Sequence, residues 1–438
     1  MENAARQAAL EILERCRRNG AWSADALDSV LRQRGLDRRD SALASRLSLG
    51  VLQNSAYCDY CIECFRTGGK LEPRVREILR LGVYQLLFMD KIPPRAAVNE
   101  SVALCRTAGL ERAAGLVNAL LRRVAENREQ IPPVPGEGTA AYLSVRYSHP
   151  RWLAERLLRE HDYAFTEAFL AENNRIPPLT IQVNTQKVSP EEYTRALERR
   201  EIPYRACAGL PGCLTLTGGT VSELPGYDEG LFYVQDRAAR TAVEALSLRP
   251  GMRVLDACAA PGGKSFAAAL KMRGEGSVLA RDIQEKRLRR IESGAARLGL
   301  ACIRTQAGDA RAIDPAMEAA FDRVIADVPC SGLGVIGKRP EIRRKTEEEI
   351  ASLPAIQREI LEAVSACVRP GGRLLYSTCT VLKAENREVV AAFLREHPEF
   401  SPEDFTVGDL RSTDGMYDFW PQIDGTDGFF AALLRRNE

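Results

Sequence analysis

Hydrophobic positions along the first 129 residues recur three and four apart, and this spacing predicts helices almost throughout. Ala8, Ala9, Ile12, Leu13 and Cys16 share one such face, and Val75, Ile78, Leu79, Leu81, Gly82, Tyr84 and Gln85 form a second, buried one. Ile92-Pro-Pro-Arg-Ala-Ala-Val-Asn99 ends one helix and opens another, because proline lacks the N–H a helix interior needs but is tolerated in a first turn. A last apolar face, with Leu116, Val117, Leu120 and Leu121, runs from Ala113 to Val124. No strand-like alternation interrupts this region, so residues 1–130 read as a helical bundle.

Ile131-Pro-Pro-Val-Pro-Gly-Glu-Gly138 is stiffened by proline and broken by glycine, which marks a linker. Residues 131–170 read as that linker plus connecting helices, with Tyr142–Leu158 a helical segment anchored by Trp152. Strict alternation over Leu179–Thr185 predicts a strand, Pro190–Arg200 a helix, and the pieces near Leu214 and over Leu231–Val234 further strands. Residues 171–240 thus form a small α+β module. From Arg249 short apolar runs alternate with helical segments: Val254–Ala257, Ser277–Asp282, Ile303–Ala307, Phe321–Asp327 and Leu374–Thr378. Such alternation makes an α/β domain, over residues 241–438, with a doubly wound, mostly parallel sheet covered on both faces. Gly428–Leu434 adds a late strand, expected to be antiparallel at the sheet's far side.

A length of 438 residues suits two or three domains, and 45% apolar with 27% charged residues suits a soluble protein with a core. Twelve cysteines are too dilute for a disulfide scaffold, the N-terminus runs into an amphipathic helix, and the longest apolar runs fall far short of a bilayer. A cytoplasmic protein with reduced thiols and no membrane partner is expected. The net charge of +2 hides an asymmetry: residues 1–150 carry 22 Lys and Arg against 17 Asp and Glu, the remainder 39 against 42. A mildly basic first third is compatible with nucleic acid, and equally with a solvated helical surface.

The chemistry gathers around Val254-Leu-Asp-Ala-Cys-Ala-Ala-Pro-Gly-Gly-Lys-Ser265. A strand, a tight turn and a helix N-terminus follow one another there, the place in an open α/β sheet where nucleotide-like ligands bind. A phosphate loop would need glycine where Cys258 stands, and the dinucleotide pattern is absent too. Asp256, Asp282, Asp309 and Asp327 close or follow successive strands. Any one of them could be a helix N-cap, but four at one sheet edge point to a ligand carrying ribose and adenine. Two cysteines share that edge, in Asp327-Val-Pro-Cys-Ser-Gly332 and Tyr376-Ser-Thr-Cys-Thr380. A lone cysteine is usually a small buried hydrophobe, but two at adjacent strand ends suggest a thiolate nucleophile, with Lys264 available to supply positive charge.

Val83-Tyr-Gln-Leu-Leu-Phe-Met-Asp-Lys-Ile-Pro-Pro-Arg-Ala-Ala-Val-Asn-Glu100 and Ala114-Gly-Leu-Val-Asn-Ala-Leu-Leu-Arg122 resemble the antitermination factor NusB. That likeness implies a helical domain contacting RNA or protein. Asp256-Ala-Cys-Ala-Ala-Pro-Gly-Gly-Lys264, Asp327-Val-Pro-Cys330 and Ser377-Thr-Cys379, in this order, resemble the RNA (cytosine-5) methyltransferases over about residues 140–438. Together the two likenesses point to the RsmB-type (Sun) enzymes of small-subunit ribosomal RNA. The resemblance implies a Rossmann-like fold using S-adenosylmethionine. It places Cys258, Ala259, Ala260, Pro261, Gly262, Gly263, Lys264, Asp282, Asp309 and Asp327 around that cofactor. It also assigns the attacking thiol to Cys379, product release to Cys330, and a bond to the base edge to Asp327. Sequence chemistry alone does not choose between the two cysteines. Asp256 is expected to bond the loop's backbone N–H groups, and Arg281, before the ribose-binding acid, to be a surface residue.

Weaker candidates remain. Cys58, Cys61 and Cys64 lack a fourth ligand nearby and suit a helix, so no metal is expected; His149, His161 and His397 fit no triad. Lys286–Arg290 reads as an exposed helix face, and Lys338–Lys345, after the Pro-Cys loop, as a contact for substrate phosphates. The expected protein is a monomeric methyltransferase of ribosomal RNA. Its rivals are a transfer RNA methyltransferase of the same fold, a non-catalytic RNA-binding assembly factor, and a nucleotide hydrolase.

Overall fold

In the computed structural model, which describes residues 3–19, 23–217 and 221–438, the first third is helical. The helices are α1 (Ala4–Asn19), α2 (Ser23–Arg34), α3 (Arg38–Gln53), α4 (Ser55–Phe65), α5 (Pro73–Phe88), α6 (Pro94–Thr107) and α7 (Ala114–Glu126). The apolar faces read from spacing meet in one core, where Ala8, Ile12, Leu13, Ile78, Leu79, Val117 and Leu121 are fully enclosed. Leu116 departs from this pattern: it is 46% exposed, because it lies off the face shared by Val117, Leu120 and Val124. Cys58 and Cys61 on α4 are core residues.

The segment read as one helix over Tyr142–Leu158 is two, α8 (Ala140–Arg146) and α9 (Arg151–Glu160), followed by α10 (Tyr163–Glu172). Pro150 cannot continue the backbone ladder, and Ser148 takes a positive φ of 55°. These helices belong to the first of two units, Met1–Ile176 together with Ile336–Glu347. The late segment is tied in by polar contacts. Trp152 Nε1 donates to the Lys345 carbonyl at 2.9 Å. The buried Arg343 guanidinium donates to the carbonyls of Tyr147, Ser148 and Asn173 at 2.9–3.1 Å.

The second unit, Pro177–Val335 with Glu348–Glu438, holds two sheets of functional interest. In the smaller, β1 (Leu179–Val183), β2 (Tyr204–Ala206), β3 (Cys213–Leu216) and β4 (Phe232–Val234) run antiparallel in the order β2-β3-β1-β4. Helix α11 (Pro190–Glu198) opens on a reciprocal cap between Ser189 and Glu192, and α12 (Arg237–Ala245) leads on to the larger sheet.

That sheet is built from β5 (Arg253–Asp256), β6 (Ser277–Asp282), β7 (Ile303–Ala307), β8 (Phe321–Asp327) and β9 (Val368–Thr378), all mutually parallel. Helices α13 (Gly263–Lys271) and α14 (Glu285–Leu298) follow β5 and β6. The strand order reverses at β5, which lies between β8 and β6, so the crevice for a ligand opens at its carboxyl end. Beyond the short hairpin β11 (Thr406–Val407) and β12 (Leu410–Arg411), the tail forms β14 (Phe429–Arg436), antiparallel to β9. It is not the rim of the sheet: β10 (Phe400–Pro402) and β13 (Met416–Phe419) both pair with it. Buried on both faces, Phe429 to Leu434 need that cover.

Candidate active site

The turn after β5 is shaped by backbone angles. Gly262 has φ +110°, and a Cβ there would lie 2.6 Å from the Phe266 ring, so only glycine serves. Ala260–Pro261 is a cis peptide. Asp256 is fully buried; one oxygen accepts from Ser265 Oγ at 2.7 Å and the other has no protein partner. Its bond therefore goes to a helix side chain, not to the backbone N–H groups of the loop as expected. Burial pushes its carboxyl up to about 7.

Asp282, at the end of β6, accepts from the backbone N–H groups of Gln284 at 2.9 Å and Ala260 at 3.3 Å, which ties the turn to the neighbouring strand. Asp309 follows β7 and is clasped by Arg311, whose hydrogen bonds hold its carboxyl below the usual range. The half-buried Cys258 thiol is pushed well up, first by desolvation and then by Asp256, Asp327, Asp282 and Asp309. The four strand-end carboxylates thus converge on one place.

At the ends of β8 and β9 two pairs form. Lys264 Nζ, nearly buried on α13, lies 2.6 Å from Asp327 Oδ2, while Ser377 Oγ donates to Oδ1 at 2.8 Å. The same ammonium stands 4.9 Å from the centre of the Phe429 ring. Cys330 Sγ and Cys379 Sγ are 3.2 Å apart. Hydrogen bonding to Cys379, then burial, holds the Cys330 thiol well above the ordinary thiol range.

A buried network that the sequence did not single out braces both cysteine loops. Glu385, 1% exposed, accepts from the Ser331 backbone N–H at 2.8 Å, Gln357 Nε2 at 2.9 Å and Thr380 Oγ1 at 3.3 Å. Ser331 and Thr380 bond one another at 2.7 Å. Asn386 accepts from Thr378 Oγ1 and donates to the Thr380 carbonyl. Gly334 and Gly428 approach so closely that a Cβ on Gly334 would collide with the Gly428 carbonyl, and Gly334 N–H donates to the Cys379 carbonyl at 3.0 Å. The only sequence signal was position: Glu385 lies six residues beyond Cys379, where an acid reads as one more solvated charge.

Two expectations are corrected. Arg281 is not at the surface but 5% exposed, facing the Met317 sulfur at 3.9 Å, and a Cβ on Gly308 would collide with its guanidinium. In the run Lys338–Lys345, Arg343 is spent on backbone carbonyls and cannot serve an RNA phosphate, although Arg344 is exposed. Lys286, Arg287, Arg289 and Arg290 do form an exposed face on α14.

Comparison with known proteins gives the family and the fold. A family model for the 16S rRNA methyltransferases RsmB/F matches residues 243–435, the NusB family model residues 3–126, and a ferredoxin-like domain model of RsmF/B-like methyltransferases residues 149–222. A probable ribosomal RNA small subunit methyltransferase B from Synechocystis is 36% identical, covering 99% of both chains. One from Bacillus subtilis is 34% identical, covering 98% of both. The crystal structure of PH0851 superposes with a TM-score of 0.83 at 28% identity, over 100% of this chain and 99% of that one. A methyltransferase homologue from Pyrococcus horikoshii shares the fold, with a TM-score of 0.59 at 24% identity over 67% of this chain and 97% of its own. A parallel sheet reversing at a glycine turn, ringed by carboxylates and two touching thiols, thus coincides with full-length likeness to named enzymes, and the chain belongs to the ribosomal RNA small subunit methyltransferase B family, with its S-adenosylmethionine-dependent methyltransferase fold.

Proposed function

We propose that the protein methylates carbon 5 of a cytosine in small-subunit ribosomal RNA, with Cys379 as nucleophile and Cys330 serving product release. The observation that carries this reading is the contact of the two sulfurs at 3.2 Å beside an ionised Lys264–Asp327 pair. Cytosine carbon 5 is too weak a nucleophile to take a methyl group unaided. Addition of the Cys379 thiolate to carbon 6 forms an S–C bond and moves the ring π electrons toward N3, leaving carbon 5 enamine-like. The hydrogen bond to Cys379 and burial push the Cys330 thiol toward its protonated form, so we assign the attack to Cys379.

Asp327, ionised against Lys264, accepts from the amino group of the cytosine. The proton that N3 takes up as charge develops comes from the Lys264 ammonium, relayed through the Asp327 carboxylate. Loss of the carbon 5 proton to water then re-forms the ring double bond and expels the Cys379 thiolate, and N3 returns its proton through Asp327 to Lys264. The turn from Cys258 to Lys264, with Asp282, Asp309 and Asp327, fits a nucleoside-bearing cofactor: it offers a side-chain-free Gly262, an acid at the end of β6 and converging carboxylates. When bound there, S-adenosylmethionine supplies the methyl group. The target base must leave its stack to meet a thiol in this cleft, which favours a single-stranded or junction site. Ribosomes and their RNA place the protein in the cytoplasm.

The test is methyl transfer from labelled S-adenosylmethionine to small-subunit ribosomal RNA and, in parallel, transfer RNA, each taken from cells lacking the gene and digested to nucleosides. Labelled 5-methylcytidine from ribosomal RNA is the expected product. Label in transfer RNA alone would overturn the substrate. No transfer to either RNA, with cofactor bound, would favour the non-catalytic assembly factor. Cys379→Ala should abolish turnover with cofactor affinity intact, whereas Cys330→Ala should accumulate a covalent protein–RNA species. A cross-link that survives in the double variant would reverse the roles.

A further inference from the structure

A cavity of about 230 Å³ lies within the first unit, well away from the cysteine pair in sequence. One wall comes from α3 and α5, inside the region that matches NusB; the other comes from residues 146–174, outside that match. A free-standing domain ending at residue 126 would lack the second wall.

Its lining has three chemical parts. Tyr84 and Phe88 stack on each other, ring centres 5.2 Å apart, and Tyr147 faces the cavity as well. Arg46 and Arg146 supply two guanidiniums, neither in an ion pair among the described residues, and Arg146 rides over the Tyr57 and Tyr147 rings at 5.2 and 5.8 Å. No acidic residue lines the cavity; the nearby Glu167 carboxylate is taken by the Tyr147 hydroxyl. The third part is a set of amides whose orientation is fixed. Gln53, Asn54 and Asn174 each donate through nitrogen to a backbone carbonyl, of Gly337, Gly50 and Tyr147 respectively. A carbonyl can only accept, so all three amide oxygens are turned the other way, and none accepts a hydrogen bond among the described residues. Asn174 Oδ1 is shielded from solvent with no partner at all.

An apolar aromatic floor, outward acceptors and unpaired guanidiniums have one common complement. We propose that this cavity receives a single unstacked RNA nucleotide, its base on the aromatic floor and its phosphate on Arg46 and Arg146. The acceptor-rich wall suits a base with amino hydrogens, adenine, cytosine or guanine, and disfavours uracil, whose edge offers carbonyl oxygens around one N–H. The volume lies below the roughly 300–1,000 Å³ of pockets for drug-sized ligands, consistent with one nucleotide and not a folded cofactor. The inference rests on the reading of the chain as an enzyme acting on RNA, and it adds a second hold on the substrate, on the first unit.

The experiment uses the full chain and a transcript of small-subunit ribosomal RNA. Binding is followed by filter retention across a salt series, and methylation is followed as KM and kcat. Arg46→Gln with Arg146→Gln should weaken binding roughly tenfold and lower the slope of log Kd against log salt by about 1–2, since two phosphate contacts are lost. KM should rise with kcat and cofactor affinity unchanged. Phe88→Leu, which keeps an apolar side chain in the helix, should weaken binding with the salt slope intact. Adenine, cytosine and uracil nonamers should rank with uracil last. Wild-type binding and salt slope in the arginine double variant would overturn the proposal, as would normal affinity for naked RNA with lost activity on assembled subunits, which would assign the cavity to a protein. Loss of methylation in the wild-type protein, with its RNA binding still sensitive to these arginines, would sink the proposed activity and not this site.

Discussion

Glu385 shows how much of a candidate site can rest on one buried carboxylate that braces it. Its carboxylate holds the Ser331 backbone, Gln357 and Thr380 together, and so fixes the strand ends that carry Cys330 and Cys379 relative to each other. Glu385→Ala would strand these donors in a buried place, at roughly 1–3 kcal/mol for each unmet group. A fall in melting temperature of several degrees, with near-complete loss of turnover, is expected; Glu385→Gln should recover most of the stability and only part of kcat. Circular dichroism and initial rates on both variants check this. Asp256 makes a different prediction. Its carboxyl stays protonated in the folded protein up to about 7, whereas in the unfolded chain it ionises near 4. Between those values the native state holds the extra proton, so stability falls as pH rises. Asp256→Asn removes that dependence. Denaturant titrations from pH 4 to 7 should show the variant gaining on the wild type by as much as about 4 kcal/mol; a constant difference would mean the carboxyl is already ionised when folded. Neither role was legible from the residue alone. The strand-end aspartates, the glycine turn and the two cysteines carry their chemistry in their order, but Glu385 and the buried Arg281 acquire theirs only from neighbours that folding brings.

Elements show the same division. Periodicity located the helices of the first third and every strand of the parallel sheet, because amphipathic spacing and short apolar runs follow directly from which faces must be buried. It missed β2, three half-exposed or exposed residues with no apolar pattern to find, and it fused α8 with α9 across Pro150. It placed β14 antiparallel at the sheet's far side, where it lies, but not β10 and β13, which pair with it and are too short to announce themselves. The turn into α13 was readable, and it is also the most easily broken. Gly262→Ala would need a left-handed angle and would push on the Phe266 ring, so the helix N-terminus must shift. Calorimetry should show cofactor affinity reduced at least roughly tenfold with little change in overall helix content.

At the scale of the whole molecule, the chain does not run through its units in sequence. It leaves the first at Ile176, builds the sheet as far as Val335, returns for Ile336–Glu347, and goes back to finish. Ile336, Pro340, Ile342 and Arg343 are buried in that returning segment. A chain beginning at Pro177 would leave their burial unprovided, and it should aggregate or lose cooperativity in urea, whereas the full chain should not. The return also sets a timetable during synthesis. Ribosomes extend a chain at about 5–20 residues per second, so the 160 residues between Ile176 and Ile336 take roughly 8–30 s to appear. For that interval the carbonyls of Tyr147, Ser148 and Asn173 wait for a guanidinium not yet made. The part of the protein born first is thus among the last to be finished, and it is a nascent helical bundle with an open flank, not a completed domain, that would meet chaperones at the exit of the ribosome.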